Sequence, residues 1–264
     1  MIMKSRTFCV SDFESIPSNH DKKSRIFEAT VMAFEVTKNR NVTKTQSRGG
    51  IRFIIKDVLS RDEVNSHPKV RERIAASTIA CTKRSDILTL DVSFKEFFDL
   101  WNEFIYCNGN TVVTHSWQND ANILMDTQNF LGVKVLKQRY NEFMDSPRGT
   151  YNKYHHGIAK LCSQRILTER ALRYKKNFHS IVDKGGIPLT FRGYYPSDLE
   201  SHVKALRNDS SYTQGHNSVQ DTLDLMDVLK SAIADDGLDI IGDYSYYYHS
   251  PTFELPRRIP SCTV

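Results

Sequence analysis

Nowhere does the chain hold the roughly 18 consecutive apolar residues that a membrane-spanning helix needs. The N-terminal stretch is equally poor in them. From Met1 to Val10 the apolar residues Ile2, Met3, Phe8, Cys9 and Val10 are broken by Lys4 and Arg6, too short a run for a secretory leader. Cysteine is sparse and unpaired: Cys9, Cys81, Cys107, Cys162 and Cys262 are scattered, odd in number and never spaced C-x-x-C. That argues against a structural zinc site and against a disulfide framework. These absences point to reduced thiols in an intracellular, cytoplasmic protein. No internal repeat is visible. Apolar residues at 39% and charged residues at 25% exclude a fibrous or wholly disordered chain. A length of 264 residues fits one large domain or two small ones.

The net charge of +5 is mild, but its distribution is uneven. Val133 to Lys184 holds 12 Lys/Arg against 4 Asp/Glu, a local +8, which leaves −3 for the rest. A basic block inside a near-neutral chain points to an anionic partner.

The coarse order is strand-rich first and helical later. Phe8 to Val10, Phe27 to Val36 and Gly50 to Leu59 read as three successive strands, hence an antiparallel meander, with Gly49-Gly50 as a hairpin connection. Lys69 to Ala80 follows the proline of His67-Pro68 as a helix. Ser93 to Cys107 is the clearest amphipathic helix, with aromatics at helical spacing and a Ser93/Glu96 capping box. Its aromatic stripe reads as core. Thr111 to Thr114 is a short buried strand, and Asn119 to Leu131 is helical. Gly157 to Tyr174, Ser197 to Leu206 (capped by Ser197) and Val219 to Ile233 are further helices. The pattern is α/β with a mixed sheet.

Three acidic elements stand out. Asp12 and Glu14 lie at i and i+2 on the end of the first strand, so they share a face. Two carboxylates there cannot both be core residues without a cation, because burying unpaired charge is expensive. Hard divalent ions take such oxygen ligands. Asp120 opens the helix after Thr111–Thr114, and Asp221 opens a later helix five residues after His216. Singly, each has a plain structural reading, such as an acid facing a helix N-terminus.

Together the three elements resemble the DEDDh exonucleases, the DnaQ-like branch of the RNase H-like superfamily. Asp12-Phe13-Glu14, within FCVSDFESI, is similar to the first motif of the ERI-type 3′-5′ exoribonucleases. His115 to Asp120 resembles the second motif, with Ser116 and Asn119 in place of the usual Asn and Phe. His216 to Asp221 resembles the third, with Ser218 for the small Ala. The likeness runs from about Arg6 to Ala234 and thins between Val133 and Pro188. It implies an RNase H-like mixed five-stranded sheet flanked by helices, with a basic insertion (133–188) before the last motif. The exonuclease domain would span 1–240, followed by an irregular tail (241–264).

The resemblance also implies roles. Asp12, Glu14, Asp120 and Asp221 would hold two Mg²⁺ or Mn²⁺ ions. His216, rather than His115, would be the general base, its ordinary pKa of about 6.5 suiting proton transfer near neutrality. Ser15, Ile16 and His115 would touch nucleic acid, as would Arg173, Lys175 and Lys176 in the basic block. Tyr140, Tyr151, Tyr154 and Tyr174 could stack on bases of a single strand. RNA trimmed from its 3′ end is the favoured substrate. A DNA exonuclease and a weakly catalytic nucleic-acid adaptor on the same fold stay open.

Overall fold

The computed structural model describes residues 4–17, 24–39, 42–109, 111–133, 159–163, 177, 181, 186 and 198–238. β1 (Lys4–Pro17), β2 (Ser24–Asn39) and β3 (Val42–Ile55) form the expected antiparallel meander. β4 (Ile87–Val92) lies parallel to β3, β5 (Thr111–Thr114) parallel to β1, and β6 (Ala159–Cys162) parallel to β5. The order across the sheet is β4-β3-β2-β1-β5-β6. The architecture is α/β around a mixed sheet, which the described residues build from six strands, one beyond the expected five. The helices are α1 (Arg61–Ser66), α2 (Pro68–Thr82), α3 (Phe94–Cys107), α4 (Trp117–Leu131), α5 (Leu199–Arg207) and α6 (Ser218–Asp236). Among the described residues no helix is long and apolar enough to cross a membrane.

Two cores sit on opposite faces of the sheet. One gathers Cys9, Phe13, Ala29, Val31 and Phe53 under α3 and α4. The other gathers Phe8, Val10, Met32 and Phe34 under α5 and α6. α3 is the core helix its aromatic spacing predicted. Phe97 and Trp101 are buried. The Ser93/Glu96 capping box closes, with Glu96 accepting from the Ser93 backbone at 2.9 Å. Trp101 Nε1 donates to Ser11 Oγ (3.0 Å), which donates to the Thr30 carbonyl (2.8 Å). That chain of bonds fixes β1 and β2 directly behind Asp12.

Several boundaries differ from expectation. The Gly49-Gly50 pair does not make the hairpin connection: β2 runs to Asn39 and pairs antiparallel with β3 from Val42 onward. The two glycines sit inside β3, where the register slips between Met32 and Phe34. Arg48 and Gly49 both oppose Ala33 there, and Gly49 adopts φ +95°. A side chain on Gly50 would meet the Val31 carbonyl at 2.7 Å, so strand pairing at the bulge requires glycine. The helix expected over Gly157–Tyr174 is contradicted at Ala159–Cys162, which forms edge strand β6. Its remaining residues lie outside the described ones. The cap of α5 is Asp198, whose side chain accepts from Ser201 N at 2.9 Å, one residue later than expected.

Candidate metal centre

On β1, period-2 alternation carries Phe8 and Val10 into the α6-side core and leaves Asp12 and Glu14 next on that same face. The face therefore turns from apolar to acidic along one strand. Directly opposite on β2 stand Thr30, beside Asp12, and Glu28, beside Glu14. The register then slips: Phe27 has no partner on β1, and Ile26 and Phe27 both enter the α3-side core.

The N-terminus of α6 brings in the third carboxylate. Asn217 caps the helix, its side chain accepting from Gln220 N at 2.9 Å. Asp221 follows in the first turn and is 2% exposed. Oxygens of Asp12, Glu14 and Asp221 all lie within 4.8 Å of one another. Asp120 arrives from α4, just beyond the carboxyl end of β5, which runs parallel to β1. It is buried, and its charge helps raise the Asp12 carboxyl.

The electrostatics are those of crowded like charge. Burial raises Asp12 well above the usual carboxylate range, with Asp221, Glu14, Asp120 and Glu28 adding to it. Burial pushes Glu14 up to about 8, even though the Arg73 guanidinium works against it. Burial likewise lifts Asp120 to about 7 and Asp221 to about 7. Arg73, from α2, donates from Nη1 to Glu14 Oε2 at 2.8 Å.

This donor set fits a hard divalent cation. The ligand atoms are all carboxylate oxygens, and crowding disfavours their charge unless positive charge is supplied. Asp221 Oδ2 accepts from Gln214 Nε2 at 2.7 Å. Asp221 Oδ1 is buried and has no hydrogen-bond partner among the described residues. An orphaned carboxylate oxygen inside a carboxylate cluster is an open ligand position.

The remaining predicted residues are placed as follows. His216 is exposed, with a left-handed backbone at φ +45°. Its pKa is lowered by partial burial and by the nearby Arg73 and Lys69, against the opposing pull of Glu200. His115, at the end of β5, lies with Nδ1 3.1 Å from Ser163 Oγ. Ser15 is half-buried at the register slip, and Ile16 is packed into the α3-side core. Arg173, Lys175 and Lys176 lie outside the described residues, as do Tyr140, Tyr151, Tyr154 and Tyr174.

Two other acids of α6 do not join the cluster. Asp224 is buried and accepts from Arg207 (2.6 Å), Gln220 (3.0 Å) and the Tyr212 hydroxyl. Asp227 stands near Arg207 at 3.6 Å.

Arg73 and the buried pair behind the site, Glu28 and Arg52, escape sequence reasoning. Arg52 Nε donates to Glu28 Oε1 at 2.7 Å, and Ser218 Oγ donates to the same oxygen at 3.0 Å. Ser218, the departure from the small residue of the third motif, thus ties α6 to the sheet. The signal visible in the sequence is Glu28, set between Phe27 and Ala29 in the largely apolar stretch FEATVMAFEV.

No family model matches the chain, and no curated protein matches it. Among solved structures it is similar to the crystal structure of cell-death related nuclease 4 (CRN-4), at 12% identity and a TM-score of 0.46, over 87% of this chain. The chain spans 64% of the length of that protein's chain.

Proposed function

We propose that the chain is a metal-dependent 3′-5′ exonuclease of the DEDDh type that hydrolyses RNA to nucleoside 5′-monophosphates. One observation carries the reading: Asp12, Glu14 and Asp221, each named by a separate motif position, meet within 4.8 Å at one end of the sheet. The buried Asp120, which acts on Asp12, supports it as the fourth acid.

Two Mg²⁺ or Mn²⁺ ions held by these acids would supply charge neutralisation at the phosphodiester and a water of lowered pKa. The chain's own residues do the rest. Asp12, on β1, lies within 4.8 Å of both Glu14 and Asp221 and would hold metal together with them. Glu14 and Asp221 would complete that site, with the buried Asp120 adding its charge from α4. Gln214 holds Asp221 Oδ2, so Oδ1 would be free to ligate metal. His216 accepts the proton of the attacking water on an imidazole nitrogen. Its lowered pKa keeps it unprotonated at neutral pH, as a general base must be. The basic block, with Arg173, Lys175 and Lys176, holds the single strand by its phosphates.

The test is a gel of 5′-labelled single- and double-stranded RNA and DNA with Mg²⁺, Mn²⁺ or EDTA. The expected result is a descending ladder from RNA with either metal and intact RNA in EDTA. Cleavage that persists in EDTA, or that opens a circular substrate, overturns the reading. Equal ladders from DNA remove the RNA preference alone.

A further inference from the structure

We propose that Arg73 is a phosphate-binding residue of this site, held by Glu14 until substrate takes the guanidinium over. The inference rests on the nuclease reading and adds to it a substrate contact that lies outside the three acidic motifs.

Three observations meet here. First, Arg73 is placed rather than floating. Arg52, itself buried, donates from Nη2 to the Ile74 carbonyl (2.9 Å) and from Nη1 to Thr78 Oγ1 (3.0 Å), clamping the turn of α2 next to Arg73. Second, the Arg73 side chain is 25% exposed while Glu14 beneath it is 6% exposed. The guanidinium therefore lies between a buried acid and solvent. Its bond to Glu14 uses Nη1, one part of a planar fork with five N–H donors. Third, Lys69 lies four residues earlier on α2, on the same helix face. Both cations act on His216. α2 thus presents two positive charges beside the proposed base, at the rim of a cluster that is otherwise acidic.

A site crowded with carboxylates repels an anionic phosphodiester unless cations face it. Glu14 belongs to the carboxylate cluster, so a metal ligated there draws on the same carboxylate as Arg73. The guanidinium fork matches two phosphate oxygens as well as it matches a carboxylate. Lys69 is a point charge at the more exposed end of the same face and serves steering rather than bidentate binding. The rival account makes Arg73 a fixed counter-ion that only positions Glu14.

Calorimetry with two probes separates these accounts: MnCl₂ alone, then adenosine 5′-monophosphate at saturating Mn²⁺, which the enzyme does not turn over. In Arg73→Gln, Mn²⁺ should bind as tightly as in wild type or more tightly, because a competing cation is gone. The mononucleotide should bind about ten- to a hundredfold more weakly, the range for a hydrogen bond to a charged group. Arg73→Lys keeps the charge without the fork and should fall between. Unchanged mononucleotide affinity in both variants overturns the proposal. So does a tenfold loss of Mn²⁺ affinity that parallels the nucleotide loss, which is the signature of a residue that only positions Glu14. Wild-type protein that takes up no Mn²⁺ removes the nuclease reading itself, and the proposal with it.

Discussion

Asp12 is only half-buried while Glu14, Asp120 and Asp221 are nearly sealed, so the four acids differ in what each loses when cation is withdrawn. Asp12 is raised by all three of the others, so its removal relieves the repulsion that crowds the cluster. Asp12→Ala should lose both Mn²⁺ uptake by calorimetry and nuclease activity. His216→Ala should keep Mn²⁺ and lose about 10²–10⁴-fold in rate, the usual range for a general base. If His115→Ala is the more damaging histidine change in initial-rate assays, the base is assigned to the wrong residue. The same carboxylates predict a pH dependence of stability. Their folded pKa values lie above the ordinary value of about 4, reaching about 7 for Asp221 and about 8 for Glu14. Between pH 4 and 8 the folded state therefore binds more protons than the unfolded chain, and stability falls as pH rises. Melting curves in EDTA should show a falling Tm from pH 5 to pH 8. Mn²⁺ should raise Tm more at pH 8 than at pH 5, because the charged acids are what it binds. A Tm that climbs with pH in EDTA contradicts this electrostatic picture. At this scale the acids were legible only in conjunction: an acid at a helix start is ordinary by itself, and it is the three motifs together that resemble one family. Arg73 was not legible, since an arginine on a largely exposed helix reads as a solvated face until its partner is known.

Elements meet in the layer behind the metal centre. Glu28 on β2 is fully buried and Arg52 on β3 is almost so; Ser218 on α6 and Ile74 and Thr78 on α2 complete the network. Removing one member of a buried pair leaves a charge without compensation, worth about 3–5 kcal/mol. Arg52→Met should therefore destabilise the fold strongly in denaturant titrations, by more than Glu28→Leu combined with Arg52→Met. A double variant as damaged as the single one would show that shape, not charge pairing, holds this layer. The network also explains what sequence patterning missed among the elements. α3 was legible because its stripe of aromatics has a helical period and its cap is complete. β4 passed unnoticed because an edge strand with Leu88 exposed and Ile87 and Val92 buried shows no clean alternation. Gly49-Gly50 looked like a turn, yet glycine serves bulges for the same reason that it serves turns: both need positive φ or close backbone approach.

On the scale of the whole molecule, charge divides the chain as clearly as the sheet does. The fold class was legible because helices alternate with strands after the opening meander, an order that calls for a mixed sheet with helices packed on it. The long-range assembly was not: β6, drawn from the basic block, pairs with β5 by a parallel register that no local pattern encodes. The basic block carries +8 against −3 for the remainder, and the carboxylate cluster is acidic, so the two ends of a bound strand would meet opposite environments. On the proposed reading, phosphates along the strand would be held by the block and the terminal phosphodiester would lie at the acidic cluster, where a metal would offset the charge. This division gives the last prediction. Catalytically dead Asp12→Ala protein, titrated with labelled single-stranded RNA at several salt concentrations, should bind with log affinity falling linearly in log salt. The slope should be about −0.7 for each phosphate contacted. Charge reversal at Arg173, Lys175 and Lys176 should flatten the slope by about two to three contacts and leave Mn²⁺ uptake of the otherwise wild-type enzyme unchanged. If those lysines and arginine form only a solvated face remote from the cleft, both affinity and slope stay at their starting values, and strand binding must be assigned to the sheet and helices alone.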